Sequence, residues 1–218
     1  MVDSVDTGRI AAAVTELLAA IGEDPGREGL RDTPQRVASA YREFFGGVGV
    51  DAGALLGDPM PAEAASGDLV MMGGIEFRSM CEHHLLPFFG TATIAYVAGD
   101  SIVGLGRLPL LVDAIASRPQ LQERLTDEVA DAIDSRLAPH GVLVHIEATH
   151  QCVSARGARQ TGTSTVTMSA RGSLAELAAR AEVIALIGGT HIASPRSKAG
   201  WGTSGAPLGF TAHPLGSS

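Results

Sequence analysis

Two short segments, each with one of the chain's two cysteines beside histidine, constrain the fold most strongly. They are Ser79–His84 (SMCEHH) and, far later in the chain, His150–Cys152 (HQC). Cys81 and His84 have the Cys-x-x-His spacing that lets a tight turn direct two soft ligands at one ion, and Cys152 could supply a third. The fold would then have to bring both segments together. A fourth tetrahedral position would stay open for water, as in catalytic zinc sites.

Three interpretations of these cysteines compete. They could form a disulfide, but Met1–Gly8 is polar and acidic and does not resemble a signal peptide, so we expect a cytoplasmic protein. They could also be ordinary buried thiols, since free cysteine is among the most buried residue types. The nearby histidines favour a metal-activated hydrolytic site. His83 and His150 would then remain beside the ligands for proton transfer.

The composition limits the class of protein. With 218 residues, of which 45% are hydrophobic, the chain can form one sizeable domain with its own core. No apolar run approaches the roughly 18 residues of a membrane span. The net charge of −8 argues against general nucleic-acid binding. We therefore expect neither a membrane nor a nucleic acid as partner, and an anionic substrate would need a local basic pocket.

The first part of the chain, residues 1–68, is predicted to be a helical region followed by a loop. Apolar residues from Ile10 to Ile21 recur at helical spacing, and Gly22 is a plausible end of that helix. Thr33-Pro34 has the residue order typical of a second helix start. Gly, Ala, Pro and acidic residues then predict the loop.

Residues 69–187 are the predicted catalytic domain, in which strands alternate with helices. The predicted strands are Thr91–Val97, Val142–Thr149 and Thr161–Ser169, and the predicted helices are Leu108–Ser117, one started by Pro119, and Leu174–Ile187. This pattern predicts an α+β fold, with a mainly antiparallel sheet and two helices packed on one face. The remaining residues, 188–218, are rich in Gly, Ser, Pro and Ala and are predicted to be a disordered tail.

The alternation in the strand Val142–Thr149 also concerns the metal site. Its apolar residues share one face, because successive side chains of a strand point to opposite sides. In an extended chain His150 and Cys152 continue that face. Both side chains could therefore enter one pocket.

The chain resembles the GTP cyclohydrolase I family. Five segments carry the resemblance in order: Ile21–Asp24, Arg27–Val37 (REGLRDTPQRV), Ser79–His84 (SMCEHH), Arg118–Thr126 (RPQLQERLT) and His150–Gly157 (HQCVSARG). The similarity extends from about Ile10 to Ile187 and leaves only the tail uncovered.

The resemblance implies a role for individual residues. By their match to the family, the site residues are zinc ligands (Cys81, His84 and Cys152), acid–base histidines (His83 and His150), guanine-recognising residues (Glu123 with Gln122 beside it) and phosphate-binding arginines (Arg107, Arg156 and Arg36). A carboxylate suits guanine, because the N1–H and N2–H₂ groups are adjacent donors that one carboxylate can accept.

The resemblance also implies an activity and an assembly. The family's enzymes use one Zn²⁺ per subunit to open GTP at C8, release formate and form 7,8-dihydroneopterin triphosphate, the first step of tetrahydrofolate and pteridine biosynthesis. The implied fold is the tunnelling fold, preceded by the N-terminal helical region. The implied assembly is a homodecamer with active sites where subunits meet.

Departures from the family's pattern leave alternatives open. Arg107 stands where the family usually has lysine, and Leu110 stands where a second basic residue is common. Arginine is a planar fork and not a point charge, so the exchange is not neutral at a phosphate. A paralogue with an altered nucleotide or pathway, such as deazapurine formation, therefore stays possible. So do a non-catalytic zinc-fold paralogue and a related enzyme that uses iron.

Overall fold

The computed structural model describes residues 5–62 and 67–193. The helices are α1 (Thr7–Ala20), α2 (Thr33–Phe44), α3 (Arg107–Ala116), α4 (Gln122–Leu137), α5 (Gln151–Ser154) and α6 (Leu177–Ala193). The strands are β1 (Met60–Pro61), β2 (Leu69–Cys81), β3 (Pro87–Val97), β4 (Ser101–Ile102), β5 (Pro119–Gln120), β6 (Gly141–His150) and β7 (Thr165–Gly172). Most of the predicted tail, residues 194–218, lies outside the described residues.

Five strands form one sheet in the order β5-β2-β3-β6-β7. β2, β3, β6 and β7 pair antiparallel, and the short β5 pairs parallel to β2. Because β2 and β6 both run antiparallel to β3, their C-terminal ends lie on either side of the start of β3, at Pro87 and Phe88. Cys81 and His150, which end these two strands, therefore lie at the same end of the sheet.

The main core lies between one face of this sheet and the helices α3 and α4. The alternating residues of β6 face these helices, as predicted: Val142, Val144, Ile146 and Ala148. Leu108, Leu111 and Leu125 fill the helix side and are fully buried. Burying a side chain of this kind contributes about 1.5–3 kcal/mol. The predicted α+β fold, with two helices on one face of a mainly antiparallel sheet, is confirmed.

The opposite face of the sheet carries a smaller apolar cluster where α6 packs. Its buried members are Ala95, Leu143, Leu174, Val183 and Ile187. The N-terminal helices α1 and α2 pack against each other. Every residue of α1 keeps solvent exposure in the single chain, and Leu17 and Ile21 of its predicted apolar stripe are 59% and 66% exposed. In the part of the chain that the structure describes, no helix is long and apolar enough to cross a membrane.

Several element boundaries differ from the sequence-based expectations, among them the start of α6, which begins at Leu177 and not at Leu174. Pro119 lies in β5 and does not start a helix, because Gln120 pairs with Cys81 and keeps the chain extended until α4 begins at Gln122. β7 begins at Thr165, where its pairing with β6 begins. α6 continues past Ile187 to Ala193. A glycine inside a helix costs only about 0.5–1 kcal/mol relative to alanine, so Gly188 does not stop it.

Candidate metal centre and active site

The turn between β2 and β3 positions the first two candidate ligands. The Cys81 N–H donates to the Leu86 carbonyl at 2.9 Å, and the Leu85 N–H donates back to the Cys81 carbonyl at 2.8 Å. Leu85 takes a left-handed conformation with φ of 48°, which is uncommon for a non-glycine residue and closes the turn sharply. Cys81 is buried and His84 is exposed, so the pair reaches from the core to the surface.

The third candidate ligand comes from the end of β6. The chain leaves the sheet after His150 and turns at once into α5, which carries Cys152. The ligand atoms of Cys81, His84 and Cys152 all lie within 4.8 Å of one another. Two thiols and an imidazole are the donor set that zinc prefers, and three protein ligands leave a coordination position open. The three residues therefore fit a metal ion of this kind.

The surroundings of Cys152 favour a cation. Burial raises the pKa of the Cys152 thiol, and the nearby Cys81 sulfur raises it further, whereas the charge of Arg156 lowers it. Two neighbouring sulfur atoms oppose each other's ionisation. A divalent cation between them would relieve that repulsion, because metal binding requires and stabilises thiolates.

An arginine that the sequence did not single out supports the turn between β2 and β3 that carries Cys81 and His84, here called the metal-ligand turn. Arg124 of α4 forms a two-pronged ion pair with Glu82, with distances of 2.6 Å from Nη1 to Oε2 and 3.1 Å from Nη2 to Oε1. The hydrogen bonds from Arg124 lower the pKa of the Glu82 carboxyl group. The Glu82 N–H also donates to the Gln120 carbonyl at 3.1 Å. The residue between the two candidate ligands is therefore tied to β5 and to α4.

His150 is held by an aromatic ring and an amide. Its ring stacks on Phe88 with centroids 4.6 Å apart and planes 7° apart. Its Nε2 lies 2.7 Å from Oε1 of Gln122. Burial lowers the pKa of His150 below its ordinary value, and the negative charge of Glu123 acts in the opposite direction. Phe88 gave no sequence signal, since its place beside His150 depends on the register between β3 and β6.

The two residues predicted to recognise guanine occupy different environments. Glu123 is exposed in the first turn of α4, close enough to His150 for its charge to act there. Gln122 is only 2% exposed, and its side-chain nitrogen donates hydrogen bonds into β6 and β7. The carboxylate is therefore open to a ligand, and the amide is part of the protein interior.

The predicted basic residues are spread over the chain. Arg156 lies near Cys152, as its effect on the thiol shows. Arg36 of α2 pairs with Asp32 at 3.5 Å. The Arg107 guanidinium lies beside Gly57, 3.7 Å from the position that a Cβ there would occupy. Arg107 begins α3, whereas the other end of that helix, at Ala116, accepts a hydrogen bond from Ser79 Oγ beside the metal-ligand turn.

His83 is the second predicted acid–base residue, and it lies in the metal-ligand turn. It is exposed, and its ring centroid is 6.2 Å from that of His84 in an edge-to-face arrangement. His83 is thus adjacent to one candidate ligand, His150 is two residues from another, and the charge of Glu123 acts on His150. With a mainly antiparallel sheet, two helices on one face and the Cys-His-Cys group at the sheet's end, the molecule is an α+β protein with a candidate metal site.

Comparison with known proteins identifies the family. The family model described as GTP cyclohydrolase I matches residues 10–188. A protein named GTP cyclohydrolase 1 from Leifsonia xyli subsp. xyli is 56% identical over 183 residues, which are 84% of this chain and 96% of the relative. A protein of the same name from Halalkalibacterium halodurans is 48% identical over 85% of this chain and 98% of the relative. Another, from Mycobacterium ulcerans, is 48% identical over 84% of this chain and 91% of the relative. The chain belongs to the GTP cyclohydrolase I family.

Proposed function

We propose that this protein hydrolyses the imidazole ring of GTP at C8, releases formate and forms 7,8-dihydroneopterin triphosphate. The observation that carries the proposal is the convergence of the Cys81, His84 and Cys152 ligand atoms, within 4.8 Å of one another, in a member of this family. The product places the enzyme at the first step of tetrahydrofolate and pteridine biosynthesis. A cytoplasmic location, where GTP is available, belongs to the same proposal.

The proposed cofactor is one Zn²⁺ per subunit, held by Cys81, His84 and Cys152. The donor set fits zinc better than a hard cation, since thiolates and imidazoles are soft or borderline ligands. When bound, zinc supplies the Lewis acidity that makes water nucleophilic near neutral pH. The residues around it must then orient the purine and move protons.

His150 is proposed as the principal proton donor to guanine N7, and His83 as its assistant. C8 of guanine is a poor electrophile until N7 is protonated, and imidazole titrates in the useful pH range. The stack on Phe88 fixes the plane of the His150 ring. Glu123 would accept the N1–H and N2–H₂ donors of guanine and so place the purine against this ring. The exposure of Glu123 near the half-buried His150 supports this division of roles.

The triphosphate is proposed to bind Arg107, Arg156 and Arg36 in a site shared between subunits of a homodecamer. α3 has ten residues, so Arg107 lies about 15 Å along the helix from the end that adjoins the metal-ligand turn. That separation favours a role for Arg107 in the active site of a neighbouring subunit. The exposed apolar side chains of Leu17 on α1 and of Ile21 directly after it also favour burial against another copy.

The decisive experiment measures three quantities on the purified protein with GTP: metal content, formate release and the fluorescence of the oxidised pterin. We expect zinc, formate and pterin together. Zinc without formate would indicate a non-catalytic paralogue, and activity only with ferrous iron would indicate a different metal enzyme. Parallel assays with GDP and a deoxy-GTP analogue test the altered-nucleotide alternative that Leu110, 50% exposed, leaves open.

Two variants separate metal binding from proton transfer. His150→Ala should keep zinc and lose pterin formation, because the histidine is not a proposed ligand. Cys152→Ala should lose zinc and, with it, activity. His140→Ala is a matched control, since His140 is an exposed histidine directly before β6; it should keep both properties. Zinc loss in His150→Ala, or full zinc and activity in Cys152→Ala, would contradict the assigned roles.

A further inference from the structure

The side chain of Gln122 connects His150 to the two strands behind it. Gln122 Nε2 lies 3.2 Å from the Ile146 carbonyl oxygen, 2.9 Å from the Thr165 carbonyl oxygen and 3.1 Å from Thr167 Oγ1. Carbonyl oxygens only accept hydrogen bonds, so the atom facing them must be the amide nitrogen. The other end of the amide, Oε1, therefore faces His150 Nε2 at 2.7 Å.

This orientation determines where His150 carries its proton. An amide oxygen only accepts, so the nitrogen opposite it must be an N–H donor. His150 therefore holds a hydrogen on Nε2 in both its neutral and its charged form. In the neutral form the lone pair is on Nδ1, which is the remaining nitrogen that can exchange a proton.

The amide cannot turn over easily, because a closed ring of hydrogen bonds holds it. Thr126 Oγ1 donates to the Gln122 carbonyl at 2.7 Å and lies 2.7 Å from Thr167 Oγ1, which in turn accepts from Gln122 Nε2. All the donors can point the same way around this ring. Direct binding of guanine by the Gln122 amide would instead break the hydrogen bonds from its nitrogen, whose two hydrogens are shared among three acceptors, and Gln122 is 2% exposed.

We propose that Gln122 is a positioning residue that keeps His150 protonated on Nε2 and so makes Nδ1 the nitrogen that exchanges a proton with the substrate. The proton given to the purine leaves Nδ1, and the hydrogen on Nε2 stays in place. The proposal rests on the proposed function for the use of His150, and it replaces the substrate-binding role predicted for Gln122. Glu123 alone of this pair then faces the guanine.

The test compares three variants of the full-length, zinc-loaded protein. Gln122→Leu removes the acceptor, whereas Gln122→Glu keeps an oxygen that can accept from Nε2. Gln120→Leu is the matched control: Gln120 is also buried, at 1% exposure, and its amide nitrogen donates to the Ile115 carbonyl and to Glu128, away from His150. Magic-angle-spinning NMR of ¹⁵N-histidine-labelled protein reports which ring nitrogen is protonated, and the His150→Ala spectrum assigns the signal.

The expected spectrum of the wild type shows His150 protonated on Nε2 with an unprotonated Nδ1. In Gln122→Leu both tautomers should appear, and kcat should fall by up to about a hundredfold, the lower bound for general acid–base catalysis, because the ring also loses the contact that orients it. KM for GTP should change by less than about threefold, because no substrate contact is lost. Gln122→Glu should keep the Nε2–H signal and recover part of kcat, and Gln120→Leu should keep the wild-type spectrum.

Two results would overturn the proposal. One is a Gln122→Leu protein in which His150 stays protonated only on Nε2. The other is a raised KM with unchanged kcat, which would indicate substrate binding by Gln122. If Gln122→Leu does not fold, a Gln122→Glu protein without the Nε2–H signal is the contradicting result. A wild type that releases no formate from GTP would refute the proposed function, whereas the NMR comparison would still decide whether Gln122 sets the tautomer.

Discussion

At the scale of single residues, this site depends on atoms whose hydrogen-bonding roles are fixed by their neighbours. The carbonyl oxygens of Ile146 and Thr165 orient the Gln122 amide, and the amide orients His150. A buried polar group that loses its partner costs about 1–3 kcal/mol. The same network thus contributes both to folding and to the geometry of the site.

A glycine beside this network is predicted to be irreplaceable. Gly90 of β3 lies so close to β6 that an added Cβ would overlap the Glu147 carbonyl group. Gly90→Ala should therefore push the strands apart and lower the free energy of unfolding by about 1–3 kcal/mol. Thermal unfolding of the zinc-loaded protein measures the loss.

The same substitution elsewhere provides the control for Gly90→Ala. Gly188 lies in α6, and beyond its chain neighbours and the adjoining helix backbone no heavy atom of the described residues lies within 4 Å of the position that its Cβ would occupy. Gly188→Ala should stabilise the protein by about 0.5–1 kcal/mol through helix propensity. An unchanged melting temperature for Gly90→Ala would show that β3 and β6 can separate at no cost.

At the scale of helices and strands, the sequence predicted what depends on local pattern. The alternation in β6 placed Val142 and Ile146 on the core face. The predicted extension of this face to Cys152 is wrong, because the chain turns into α5 directly after His150, and Cys152 reaches the other candidate ligands from that helix. Pairing between distant segments was not predictable in the same way. Pro119 looked like a helix start, but it lies in β5, because that segment pairs with the end of β2.

The site predicted from the sequence lacked contacts that depend on pairing between distant segments. Gln122 and Glu123 are adjacent in one motif, and only the packing of α4 against β6 and β7 shows that the first is buried and the second exposed. Arg124 meets Glu82 across 42 positions of sequence. A single sequence gives no sign of such a pair, since no spacing rule links Glu82 to one particular residue of a helix so far along the chain.

The ion pair between Glu82 and Arg124 is predicted to affect zinc affinity more than the free energy of unfolding. Both side chains are partly exposed, at 29% and 45%, and exposed ion pairs contribute little to folding. Arg124→Met should nevertheless free the turn that carries Cys81 and His84. We expect zinc affinity to fall about tenfold, as when outer partners of metal ligands are removed. Competition with a chromophoric chelator measures it.

Arg136→Met is the matched control for this prediction. Arg136 lies near the other end of α4, and it binds the Gly57 carbonyl and Asp58 at 40% exposure, far from the metal-ligand turn. It removes a similar ion pair from the same helix and should leave zinc affinity unchanged. Equal zinc loss in both variants would mean that the effect comes from α4 as a whole.

At the scale of the whole molecule, the charge distribution and the exposed surfaces favour a shared active site. The chain carries a net charge of −8, so a triphosphate must be held by arginines brought together locally. Within one subunit, Arg107 lies at the end of α3 that is remote from the metal-ligand turn. A second copy of the chain could instead bring its own Arg107 to the site, and the distance within one subunit would then not matter.

Mixed assemblies of two impaired variants test this arrangement directly. Arg107→Ala subunits lack the phosphate contact but keep His150, and His150→Ala subunits lack the proton donor but keep Arg107. If each site takes Arg107 from a neighbour, random co-assembly should restore about a quarter of the sites. Pterin formation is measured at a GTP concentration at which Arg107→Ala alone is inactive, and it should then exceed that of either parent.

Co-assembly of His150→Ala with Cys152→Ala is the control. It should restore nothing, because both residues belong to one subunit's site. Failure of the first mixture, with oligomers shown to be mixed, would place Arg107 in its own subunit's site or outside the site.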